Sequence, residues 1–211
     1  MKMSLAVLFR ALIFTPVLAI LLVVPSYGQS IGTKKDEYDH EYSELKESKL
    51  EIRDFDFQTL TGGRIKLSEP IEGRKLVIVT YFAAWCHNSK YDFETINELY
   101  KKYADQGLSV IGICEYSSRK ALKTFIEEMK PEYPICIEGD FEKLSRTASS
   151  HYAYRNKFGD TRIWGTPFTM VFTTDEFKKG GEIISTRQLA ATGELMKLEA
   201  EAIIREKLAI K

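Results

Sequence analysis

The chain has 211 residues, 30 basic and 30 acidic, with 44% hydrophobic and 28% charged residues. This balance suits one soluble globular domain with a real core, and it excludes a disordered chain or a strongly basic nucleic-acid binder. Three cysteines cannot all pair within the chain, so at least one thiol is free or bonds outside it.

Lys2 and Arg10 form a positive region, residues 11–24 are apolar apart from Thr15 and Pro16, and Ser26-Tyr27-Gly28 offers small residues for cleavage. The pattern predicts a signal peptide over residues 1–28. The alternative is an uncleaved anchor over residues 4–24, with Arg10 inside the span and Pro16 interrupting it. The expected location is periplasmic or extracellular, with membrane attachment only if the segment is retained. Disulfides persist in such a compartment. Residues 29–50 are dense in Lys, Asp and Glu and predict a charged flexible tether, with His40 as a solvated side chain.

The folded domain is predicted over residues 51–211. Phe55 and Phe57 alternate with polar residues, Thr61-Gly62-Gly63 marks a turn, and Ile65 and Leu67 resume the alternation, which predicts a hairpin. Residues 75–82 (KLVIVTYF) read as a strand covered on both faces. After Cys86 the period becomes helical, with Phe93, Ile96, Tyr100 and Tyr103 on one face until Gly107. A strand over 108–114 leads through Ser117-Ser118 into a helix carrying Leu122, Phe125, Ile126 and Met129. Pro131 and Pro134 end that helix before a short strand at 135–137. Two βαβ units of this kind wind right-handed onto one mostly parallel sheet. Residues 141–158 are weakly helical. Beyond Pro167, strands at 168–173 and 182–185 are expected to form an antiparallel hairpin, and Thr192 to cap a last helix running to about Leu208.

Two motifs carry a family resemblance. The run KLVIVTYFAAWCHNSKYDFETINELYKKYADQGLSVIGI resembles the first half of thioredoxin-like proteins of the TlpA/AhpC redoxin type, and Gly165-Thr166-Pro167 before an apolar strand resembles their cis-proline loop. The resemblance covers roughly residues 51–208. It implies an α/β, thioredoxin-like fold: a central mixed sheet flanked by helices, preceded by a hairpin. It also implies that Cys86 lies at the N-terminus of the first long helix, opposite Thr166 and Pro167. The implied partner is a disulfide- or thiol-containing protein or a small-molecule thiol, with no metal and no organic cofactor.

A cysteine at a helix N-terminus meets unpaired N–H groups and the positive end of the helix dipole, which favour the attacking thiolate. Protonated His87 adds to this, or else points to solvent. In two-cysteine relatives the resolving thiol stands three residues later; that position is Ser89 in this chain. A serine can hydrogen-bond a thiolate but cannot close an internal disulfide, so monothiol exchange completed by an external thiol is predicted. Thr80 stands where relatives often carry Asp or Asn, and Glu94 where a proline commonly kinks their helix. The alternative function is a non-catalytic binding module. Thr166 and Pro167 would receive an extended peptide, or would form an ordinary turn. Trp85 and Trp164 line an apolar surface or belong to the core. Cys114 and Cys136 have three readings: buried apolar residues, a structural disulfide, or a distant resolving role for Cys114. His151, with no partner pattern, is expected at the surface. Ala83 and Ala84 before Trp85 depart from the peroxiredoxin pattern.

Overall fold

The computed structural model describes residues 40–69, 73–139, 145–178 and 181–210. Three short strands, β1 (Tyr42–Ser43), β2 (Lys46–Ser48) and β3 (Ile52–Arg53), precede a hairpin of β4 (Asp56–Thr59) and β5 (Arg64–Lys66). Next come β6 (Leu76–Phe82), α1 (His87–Tyr103), β7 (Leu108–Cys114), α2 (Arg119–Met129) and β8 (Ile135–Ile137). The order ends with α3 (Ser150–Lys157), β9 (Phe168–Thr173), β10 (Ile183–Ser185), β11 (Gln188–Ala191), β12 (Glu194–Leu195) and α4 (Lys197–Lys207).

Eight strands form one mixed sheet in the order β2-β11-β9-β6-β7-β8-β4-β5. Every residue of β6 is buried, because its two faces feed two separate cores. Leu76, Ile78 and Phe82 meet Phe93, Ile96, Leu122, Phe125 and Ile204 on one side, while Val77, Val79 and Tyr81 meet Ile52, Phe55, Leu67 and Tyr154 on the other. At roughly 1.5–3 kcal/mol for each large apolar side chain buried, this central strand anchors the loop that follows it. α1 begins at Cys86, whose extended backbone (φ −81°, ψ 122°) occupies the N-cap position. The helix gives way to a tight turn closed by Gly107 at φ 111°, a left-handed conformation that glycine adopts without steric cost. At the start of α2, the Ser118 hydroxyl accepts from the Ala121 amide, as the serine pair implied.

Several expectations are corrected. The sheet is parallel only across β6, β7 and β8; β9 and β4 run antiparallel to their neighbours. The antiparallel partners of β9 are β6 and β11, whereas β10 pairs with β3. Gln188, Ala190 and Ala191 have weak strand propensity, and β11 is held by ladders on both sides rather than by its own composition. α4 starts at Lys197 with Met196 at its N-cap, and Thr192 stands before β12 instead. In the weakly helical region α3 covers Ser150–Lys157, while residues 140–144 lie outside the described part.

The tether reading fails for residues 40–50. β1 pairs parallel with β12, β2 pairs antiparallel with β11, and His40 is 3% exposed, its Nδ1 2.8 Å from a Glu194 carboxylate oxygen. Charge density concealed these strands because edge strands satisfy backbone groups while polar side chains face water. The expected signal peptide and the first part of the tether lie outside the described residues. Close approach of the 40–43 segment depends on Gly193, at φ 152°, where an added Cβ would collide with the Glu41 carbonyl that accepts the Glu194 amide. Gly193→Ala is expected to detach β1 and lower stability by about 2 kcal/mol, read from the urea midpoint. An unchanged midpoint would contradict this packing.

Candidate active site

β6 ends at Phe82, and the chain turns through Ala83, Ala84 and Trp85 before α1. The turn is closed by a 3.0 Å bond from the Cys86 amide to the Ala83 carbonyl, and the first helical bond runs from the Lys90 amide to the Cys86 carbonyl. Cys86 is half-buried, and its Sγ donates to the Thr166 carbonyl at 3.4 Å. The Thr166–Pro167 peptide bond is cis. Two segments 80 residues apart in sequence therefore meet at one sulfur.

Ser89 is buried one turn into α1, and its Oγ accepts from the Ala83 amide at 3.3 Å. Its oxygen thus serves the turn that presents Cys86. His87 is exposed, with its ring against Tyr91 at 4.7 Å and stacked at 5.7 Å with His40 from the N-terminal segment. Trp85 and Trp164 are 51% and 42% exposed and meet edge to face at 5.5 Å, so both contribute to the surface beside Cys86. The Trp85 indole N–H is fixed by the Tyr116 carbonyl at 2.7 Å.

The loop carrying Thr166 is held from beneath by α3. Arg155, 1% exposed, donates to the Arg162 carbonyl at 2.7 Å and the Ile163 carbonyl at 3.0 Å. His151 donates to the Gly165 carbonyl and accepts from Tyr116. The surface placement expected for His151 is wrong: the ring has 0% exposure. α3 turns His151, Tyr154 and Arg155 inward, a face of polar and half-polar residues that carries no hydrophobic periodicity to read.

Cys114 and Cys136 are not bonded: all three cysteines are free. In the β7–β8 register Cys114 pairs with Ile137 and Cys136 with Ile113, so their side chains enter opposite cores. Burial pushes each thiol up to about 12, and each is held as the unreactive thiol. This arrangement favours the reading of two buried apolar residues.

At Thr80 the hydroxyl accepts from Thr169 at 3.0 Å in the buried core. A carboxyl does come near this position, although Thr80 itself cannot supply one. Asp92, 2% exposed on α1, lies beside Thr169; its Oδ1 accepts the Leu195 amide at 2.8 Å, and its Oδ2 has no hydrogen-bond partner among the described residues. Burial, reinforced by the Glu194 carboxylate, raises its pKa to about 7 against the Leu195 bond. Its position was readable: Asp92, Ile96, Leu99 and Tyr103 follow the inward helical spacing, so a carboxylate stands on the apolar face of α1.

The AhpC/TSA family profile matches residues 49–160. Thiol-disulfide oxidoreductase ResA of Bacillus thuringiensis is 29% identical over 97 residues, which cover 44% of this chain and 55% of the relative. ResA of Bacillus subtilis is 28% identical over 90 residues, covering 43% and 49%. The chain spans about half the length of these curated relatives. Among solved structures, a thioredoxin-family thiol:disulfide interchange protein from Chlorobium tepidum aligns with TM-score 0.54 at 19% identity, covering 74% of this chain and 94% of the other. The thioredoxin domain of a Bacteroides vulgatus thiol-disulfide oxidoreductase aligns with TM-score 0.54 at 14% identity, covering 76% and 97%. The fold is thioredoxin-like.

Proposed function

Because this chain belongs to the AhpC/TSA family, we propose that it is a thiol-disulfide exchange protein of monothiol type, exported by way of residues 1–28. The observation that carries the reading is the half-buried Cys86 sulfur at the head of α1, facing the Thr166 carbonyl at 3.4 Å. A disulfide entering beside Trp85 and Pro167 meets this sulfur. The Cys86 thiolate attacks one substrate sulfur, a new S–S bond forms, and the displaced sulfur leaves with the electron pair of the broken bond. With Ser89 at the second position and Cys114 and Cys136 in the cores, an external thiolate attacks the mixed disulfide and regenerates Cys86. The partner is a protein or small molecule bearing a disulfide or thiol, in keeping with relatives described as thiol-disulfide oxidoreductases.

The second reading, a binding module without turnover, is favoured by the exposed Trp85–Trp164 pair, which forms a surface whether or not Cys86 reacts. Trapping separates the two. Acid quench and alkylation of the wild type are expected to reveal mixed disulfides that Cys86→Ser lacks entirely. Failure to trap any, with a Cys86 thiol inert towards alkylation, would leave the binding-module reading.

A further inference from the structure

Both ring nitrogens of the buried His151 are engaged. Nδ1 lies 2.8 Å from the Tyr116 hydroxyl and Nε2 lies 3.1 Å from the Gly165 carbonyl. A carbonyl can only accept, so Nε2 carries the proton and Nδ1 accepts from tyrosine; the surroundings select one neutral tautomer. Burial, with the Arg155 charge adding to it, pulls the pKa down to about 3, which keeps the ring in that form. Each neighbour of His151 reaches one side of the reactive sulfur. Tyr116, itself at φ 52°, holds the Trp85 indole through its own carbonyl, and Gly165, at φ 63°, precedes the Thr166 carbonyl that faces Cys86. Hydrogen bonds thus lead from Trp85 through Tyr116 and His151 to the loop across the sulfur.

We propose that His151 is a positioning residue for thiol exchange, which sets the Gly165–Pro167 backbone to receive an extended peptide disulfide beside Cys86. The inference rests on the monothiol reading above and names its preferred substrate class. A peptide needs that backbone to align its own amides, as in strand addition; a small aromatic disulfide does not.

Two probes distinguish these cases. One is 5,5′-dithiobis(2-nitrobenzoate); the other is an unstructured peptide whose single cysteine is disulfide-linked to thionitrobenzoate. With either, the Cys86 thiolate forms a new S–S bond and thionitrobenzoate leaves with the electron pair. His151→Leu is expected to slow the peptide reaction at least about tenfold and the small-molecule reaction less than about threefold. His151→Gln, whose amide can donate to Gly165 and accept from Tyr116, should restore most of the peptide rate. If His151→Leu gives no cooperative melt, Tyr116→Phe takes its place: it removes the hydroxyl that holds His151 Nδ1, and should slow the peptide reaction about threefold with the same selectivity. Equal slowing of both probes, or of neither, in a folded variant overturns the proposal. A wild type no more reactive than Cys86→Ser towards either probe overturns the exchange function itself, and this inference with it.

Discussion

Asp92→Asn is expected to gain stability relative to the wild type by up to about 4 kcal/mol as pH rises from 4 to 8, following from a carboxyl whose pKa is raised from 3.8 to about 7. In the unfolded chain this group ionises near its ordinary value, whereas in the fold it holds its proton until about 7. Between these values the native state binds more protons, so the favourable contribution of Asp92 is fully present below about 4 and lost by about 7. Asparagine stays neutral throughout, and its side-chain oxygen can still accept the Leu195 amide. Urea unfolding of both proteins across the range measures the difference, and a difference independent of pH would refute the buried charge. His151 has the opposite sign. Its pKa is lowered from 6.5 to about 3, so its contribution is present above 6.5 and lost as pH falls towards 3. From about 4 to 6.5 the two effects offset each other. Buried Glu115, whose carboxyl is also held by burial well above its ordinary pKa, adds to the aspartate slope. Stability should therefore fall more steeply with rising pH in His151→Gln than in the wild type, and less steeply in Asp92→Asn.

Gly165→Ala should damage both stability and exchange. At φ 63° the residue is left-handed, and an added Cβ would come within 2.6 Å of Arg155 Cδ and 2.8 Å of its Cζ. A flexible surface arginine would move aside, but this one is buried and bonded to the carbonyls of Asp160, Arg162 and Ile163. Either those charged hydrogen bonds break, or the loop shifts and carries the Thr166 carbonyl away from Cys86. The expected loss is about 3 kcal/mol or more, combining left-handed strain of ~1 kcal/mol with at least one charge-assisted bond at ~1.5–3 kcal/mol. Exchange with the peptide probe should fall at least about tenfold. Gly159→Ala is the control: its φ is 97°, but no atom of the described residues lies within 4 Å of the added Cβ, so backbone strain is what it tests. Similar urea midpoints and exchange rates for the two variants would show that the Arg155 contact does not matter.

Local signals account for the parts of the fold that were legible. The unbroken apolar run over residues 75–82, the change to helical spacing after Cys86, and Gly107 as the stop correspond to β6, α1 and its terminating turn. The hairpin around Gly62-Gly63 is equally local. Cys86 and Thr166-Pro167 stood out as motifs, and the fold brings them together at hydrogen-bond distance. The strands β1, β2, β11 and β12 were missed, because short polar or alanine-bearing segments become strands only when another strand supplies the missing hydrogen bonds.

The sequence by itself determined the central strands, the position of Cys86 at a helix start, and the want of a second cysteine three residues on. These depend on periodicity and on residue identity along a few consecutive turns. Only the tertiary structure decided that His40 packs against His87 and Tyr91 of α1, that Cys114 and Cys136 face opposite cores, and that His151 and Arg155 hold the loop opposite Cys86. Each of these joins residues distant in the chain. A polar side chain carries no mark of burial in its own sequence; its place is set by the carbonyl, hydroxyl or carboxylate that another segment brings to it.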